Sequence, residues 1–141
     1  MRNIKFRAWH KLKKEMYSKS LESINFETKV LGVYTVDEGY RQLRMSDFEI
    51  MQYTGIKDKN GIDIYEGDIL KVPDLYETPE YTSTTYHNEQ VIFDNYGFGT
   101  DTAMFYEDGD YISEECEVIG NIHENQELFT VARNKNKGEI I

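Results

Sequence analysis

Gly55, Gly61 and Gly67 recur at intervals of six within MQYTGIKDKNGIDIYEGDILKV (residues 51–72), beside Asp58, Asp63, Glu66 and Asp68. Glycines next to polar residues can cradle a phosphate, because backbone N–H groups reach an anion only where no side chain intervenes. A spacing of six fits neither GxGxxG nor GxxxxGK[ST], and the neighbouring carboxylates would repel the anion. What these residues support is chain reversal. Asn60-Gly61 and Glu66-Gly67-Asp68 are turn signals, since Asn and Gly adopt positive φ at little cost. Gly55, Asn60, Gly61, Gly67 and Asp68 are therefore expected to be structural turn positions.

The other candidate chemistries are weaker. Asp108-Gly109-Asp110, followed by Glu114 and Glu115, offers oxygen ligands but lacks the twelve-residue register of alternating ligands that a calcium loop needs, so a solvated turn is expected. His10, His87 and His123 stand far apart, none in an HxxxH or HExxH spacing, and each reads as a surface or packed histidine. Cys116 is the sole cysteine, which excludes an internal disulfide framework and a cysteine-based zinc site. Glu115 and Glu117 flank its thiol and oppose ionisation, so a packed strand cysteine is expected rather than a nucleophile. No catalytic residue, metal or cofactor is assigned, and the chain is not expected to be an enzyme.

Charge is distributed unevenly. The formal net charge is -10, yet Arg2, Lys5, Arg7, Lys11, Lys13 and Lys14 fall in the first fourteen residues with no carboxylate among them. From Val72 to Ala132 there are fourteen Asp or Glu and no Lys or Arg, a composition that repels nucleic-acid phosphate. Lys5, Arg7, Lys11, Lys13 and Lys14 form a candidate interaction strip. It is expected to pack on or beside acidic surface, of its own chain or of a neighbour. Alternating with Phe6 and Trp9, the same strip could instead track a nucleic-acid backbone while an aromatic ring stacks on bases. Tyr76, Tyr81 and Tyr86 lie in a polar stretch and are candidate contact residues, since tyrosine joins apolar area to a polar tip.

The elements that must position these residues read mostly as strands. Residues 3–10 alternate, with Ile4, Phe6 and Ala8 on one side, and 11–14 read as a turn returning through 15–17. Residues 24–35 read as one or two strands broken near Lys29 or at Gly32, and 36–46 as a loop or a short helix. Strands are also expected at 48–53, 69–72, 89–94, 102–106 and 116–120, with turns at 95–99 and 107–110. Residues 75–88 read as a long loop or an edge hairpin. A terminal helical turn is expected over 124–129, capped by Asn121 or Asn125. Frequent turns between short strands point to a small barrel or a rolled sheet.

Three blocks of this chain, IKFRAW (residues 4–9), MQYTGIKDKNGIDIYEGDIL (51–70) and CEVIGNIHEN (116–125), together resemble the YopX-like proteins of bacteriophages and prophages of Gram-positive bacteria. The resemblance runs from Ile4 to about Phe129. It implies an SH3-like barrel preceded by a smaller N-terminal part, and a phage protein acting inside its host. It brings no catalytic, cofactor or binding residue to carry over. One departure is visible: the family often has proline after the final Glu-Asn, where this chain has Gln126.

Hydrophobic residues make up 39% and aromatics 13%, enough to build a core, and alanine occurs only at Ala8, Ala103 and Ala132, which favours β over α. The expected fold is mainly β: an N-terminal β or α+β subdomain over 1–47, an SH3-like barrel over 48–129 and a frayed tail over 130–141. With no apolar run near the ~20 residues a bilayer requires and no signal-peptide pattern, no membrane contact is expected and the setting is the host cytoplasm. The expected role is that of a phage or prophage accessory or regulatory protein. It would work through contacts with a host or phage protein, or as a homo-oligomer. The alternative is a nucleic-acid-associated module using the basic strip.

Overall fold

The computed structural model describes residues 4–74, 85–95 and 97–128, which fall into two compact units, Met1–Tyr53 and Thr54–Ile141. In the first, β1 (Phe6–His10) turns through Lys11–Lys14 into β2 (Glu15–Tyr17), where Ala8 lies opposite Tyr17. A second sheet follows in order along the chain, as β3 (Leu21–Asn25), β4 (Val30–Thr35) and β5 (Gly39–Arg44). A 3-10 turn over Met45–Asp47 then leads to β6 (Phe48–Lys57), which pairs antiparallel with β1 so that Ala8 meets Ile50.

Local chemistry explains the reversals. The Asn25 side-chain oxygen accepts the Glu27 and Thr28 amides, both at 3.0 Å, and Lys29 takes positive φ, so the chain breaks between β3 and β4 there. Gly32 lies inside β4. A side chain on it would sit 2.7 Å from Tyr40 Oη, so the glycine makes room for the tyrosine on the next strand.

Two expectations for this unit need correcting. Residues 36–46 are neither loop nor simple helix: β5 pairs along its whole length with β4, from Thr35 opposite Gly39 to Val30 opposite Arg44. Arg41 shares the more buried face with Leu43 while Tyr40 is on the exposed face with Gln42 and Arg44, which hides the period-two pattern of a strand. β1 alternates in sequence but not in burial, since Arg7, Ala8, Trp9 and His10 are all buried. β2 and β6 pair only with the edges of this strand, so the burial of successive residues means that both of its faces are covered. Ala8, Tyr17, Leu31, Val33 and Phe48 form the core of this unit, with Leu21, Ile24, Leu43 and Ile50 packed against them.

The second unit begins in the last residues of β6, beside which β7 (Asp63–Tyr65) lies. β8 (Asp68–Pro73) is central in a three-stranded sheet, with β9 (Tyr86–Gln90) on one side. β10 (Ile92–Asp94) and β11 (Gly97–Gly99) form a hairpin, then come α1 (Phe105–Glu115) and β12 (Glu117–Asn121), which pairs on the other side of β8. The single strand expected over 89–94 is split at Val91. That residue turns its amide to Asp68 O and its carbonyl to the Gly67 amide, at 2.8 and 2.9 Å. Gly97–Gly99, expected as turn, pairs as strand with β10.

The strand expected over 102–106 and the turn over 107–110 are overturned by α1. Phe105 and Ile112, seven residues and two helical turns apart, are both buried in the core with Ile64, Leu70, Val72, Val91, Phe98 and Cys116. Glu107 and Asp108 suit a helix N-terminus, where the backbone dipole favours negative charge, and the Asp108 carboxylate accepts the Met104 amide at 3.2 Å. Gly109, which read as a turn signal, is helical, and its lack of a side chain leaves room for Ile56, which lies 3.0 Å from where its Cβ would be. Residues 126–128 are helical, in the place expected for the terminal turn.

Candidate functional site

Thr54, Asp58 and Asp68 of the 51–72 segment bond to the backbone around them. Thr54 Oγ1 donates to Ile64 O at 2.7 Å. Asp58, 3% exposed, accepts the Asn60 and Ile62 amides on one oxygen at 2.9 Å each, and the Val118 amide on the other at 2.8 Å. Asp68 accepts the Tyr65 amide at 2.7 Å. Gly55, expected at a turn, lies inside β6, whereas Gly61 and Gly67 lie between strands; the three take φ of 90°, 79° and 89°, a region that side chains disfavour. Asn121 plays the same part later in the chain, its side-chain oxygen accepting the His123 and Glu124 amides at 2.9 and 2.8 Å. A carboxylate whose oxygens already accept three buried N–H groups has little capacity left for substrate or metal.

A different cluster has the character of a site. Glu89 on β9 is fully buried. Its carboxylate accepts the Thr102 hydroxyl at 2.7 and 2.8 Å and the Thr102 amide at 3.3 Å, and it meets the His87 ring at Nε2. The other ring nitrogen, Nδ1, meets the Asp74 carboxylate at 2.5 Å, and Asp74 also accepts the Thr85 hydroxyl. Antiparallel pairing builds this row: Val72 lies opposite His87 and Leu70 opposite Glu89, so residues two apart on β9 share one face. Burial alone would push the Glu89 carboxyl up. The hydrogen bonds from Thr100, Thr102 and His87, with the attraction of the His87 ring, outweigh it and hold the group below its ordinary value.

Cys116, fully buried nearby, is the reverse case. Burial pushes its thiol up to about 11, with Glu89 and Glu115 adding to the shift and Lys59 opposing it. It is a packed thiol, not an activated one. Among the described residues no three His, Cys, Asp or Glu side chains are grouped to hold a metal ion. What the cluster can do chemically is hold a proton between two carboxylates. No sequence motif marks it, because His87 and Glu89 meet Asp74 and Thr102 only through strand pairing and the turn before α1.

The candidate interaction residues are dispersed by the fold. Lys11, Lys13 and Lys14 are exposed on the β1–β2 reversal with Leu12, 82% exposed, between them. The reversal is organised by His10, whose Nδ1 accepts the Leu12 and Lys13 amides at 3.3 and 3.1 Å. Lys11 Nζ donates to Ser46 O at 3.3 Å. Lys5 stands over the Tyr53 ring at 4.5 Å. Arg7, expected in the strip, is 9% exposed and so does not belong to a presented surface. Tyr86 is exposed at the start of β9 with Lys71 Nζ 4.4 Å above its ring, while Tyr76 and Tyr81 lie outside the described residues, as does the tail 130–141. No helix among the described residues is long and apolar enough to cross a membrane.

Comparison with known proteins gives the fold and the family. The crystal structure of protein EF1440 from Enterococcus faecalis is similar over 91% of this chain and 99% of its own, with 26% sequence identity and a TM-score of 0.59. The shared fold is mainly β, with several antiparallel sheets, one of them curled into a half-barrel. No curated protein sequence matches significantly. The YopX protein family model matches residues 5–130, which takes in all but the first residue of the three sequence blocks and reaches into both units, and the chain belongs to that family.

Proposed function

We propose that this chain is a non-enzymatic accessory or regulatory protein of a phage or prophage, working in the host cytoplasm through protein contacts. The observation that carries the reading is the Lys11–Lys14 reversal: three exposed lysines around an exposed leucine, with the backbone tied to His10. Its complement is present in the same sequence. Residues 1–53 hold ten Lys or Arg against seven Asp or Glu, whereas 54–141 hold six against nineteen. A basic tip of this kind fits an acidic protein surface, and a second copy of the chain offers one. Turn acids that are already engaged with backbone amides support the non-catalytic part of the reading. The second unit is best read as an SH3-like barrel, with the first as its N-terminal subdomain.

The test is the mass in solution of the full chain at two ionic strengths. Association that rises with concentration at 0.01 M salt, where screening extends to about 30 Å, and weakens at 1 M, where it falls to about 3 Å, supports the reading. Changing Lys11, Lys13 and Lys14 to Glu should abolish it. Unchanged mass in all conditions removes self-association. Binding of duplex DNA tighter than the ~10⁻⁴–10⁻⁶ M of ordinary non-specific contacts, falling steeply with salt, would install the nucleic-acid reading instead.

A further inference from the structure

The His87 ring meets a carboxylate at each of its two nitrogens: Asp74 at Nδ1 and Glu89 at Nε2. An ionised carboxylate only accepts hydrogen bonds, so both contacts are attractive only when both ring nitrogens carry a proton. A neutral ring has one N–H. It would set a lone pair against carboxylate oxygen on the other side, a repulsion that low polarity sharpens. The proton does not belong on Glu89, whose carboxyl is held below its ordinary value and already accepts the Thr102 hydroxyl and amide.

The geometry points to a proton-held latch: the His87 imidazolium ties Asp74, at the end of β8, to Glu89 on β9, and through Glu89 to the Thr100–Ala103 turn that leads into α1. The threonine hydroxyls at the latch support that charge state. Thr85 donates to Asp74, Thr102 donates to Glu89, and Thr100 also bonds Glu89. Tyr111 and the protonated Cys116 thiol face Glu89 from the helix side, and both feel its negative charge. The nearest cation on the paired strand, Lys71, lies opposite Asn88 and over the Tyr86 ring, so it points to the other face of the sheet. Val72, opposite His87, is apolar. When the ring gives up its proton to solvent, one of the two bridges turns repulsive and the end of β8 is released from β9.

The experiment uses the full chain labelled with ¹⁵N, reading imidazole nitrogens and backbone amide protection across one pH series, with His87→Gln to assign the ring signals. The expected result is a His87 ring protonated at both nitrogens while the latch is closed. As the ring loses a proton, protection at the Asp74 and Thr102 amides should fall about tenfold after correction for intrinsic exchange. In Asp74→Asn the amide can turn its NH₂ toward a neutral ring nitrogen, so the latch survives deprotonation and the step in protection disappears. A His87 ring with a single proton throughout the folded pH range would overturn the proposal. So would amide protection that ignores the ring, or an undiminished step in Asp74→Asn. None of these readouts depends on self-association, so the latch and the proposed function fail independently.

Discussion

The Asp58 carboxylate accepts a hydrogen bond from the Val118 amide at 2.8 Å, across sixty residues of sequence. The same side chain closes its own turn on Asn60 and Ile62, so one buried carboxylate joins a local reversal to β12. Asp58→Ala should therefore strand three N–H groups and cost about 3 kcal/mol in denaturant unfolding. Asp63→Ala removes a partly exposed pair with Lys57 and should cost under ~1 kcal/mol. Equal losses at the two positions would contradict the structural role of Asp58.

Gly67 is buried at φ 89°, and its amide donates to Val91 O at 2.9 Å. Gly67→Val should lower stability by roughly 1–3 kcal/mol, because a β-branched residue strains at positive φ. Gly109→Ala should cost less. Its helical backbone suits alanine, and only the mobile end of Ile56 must give way. Thermal melts of the two variants give the order directly.

Glu89 predicts a loss of stability on the acid side. Its folded value lies below the ordinary 4.5, so its contribution is complete above about pH 4.5 and disappears as pH falls through the folded value. Glu89→Gln should flatten the acid limb of a stability-against-pH curve measured by urea unfolding. A limb of unchanged slope would show that other carboxylates carry it.

Cys116 acts at the opposite end of the pH scale. With its thiol raised from 9.0 to about 11, folding favours the protonated form. Its contribution is intact below pH 9 and is lost as pH climbs through 11, amounting to at most about 3 kcal/mol. Cys116→Ala should remove that alkaline loss while leaving a small cavity. In the folded wild type, alkylation at pH 8 should be slow and should accelerate by orders of magnitude in denaturant.

Alkylation and acid unfolding read residues whose importance the sequence hides, whereas the turns are open to view. Asn60-Gly61 and Glu66-Gly67-Asp68 are legible because a reversal is set by the φ of a few adjacent residues, and Asn, Gly and Asp announce it, while Lys11–Lys14 shows as a polar break after alternation. The two hairpin partners 6–10 and 15–17 follow from alternation over a short reach. The family, too, was legible, since it rests on three blocks of local sequence. Tertiary structure decided the rest. Residues 105–115 became helix because Phe105 and Ile112, on one helical face, had a core to enter. β5 formed because β4 offered it an edge along six residue pairs. The Asp74–His87–Glu89–Thr102 row joins residues thirteen apart on either side of β9, brought together by strand register and the turn before α1. Local sequence sets backbone angles, but burial and pairing depend on partners far along the chain, and those decide which histidine lies between two carboxylates.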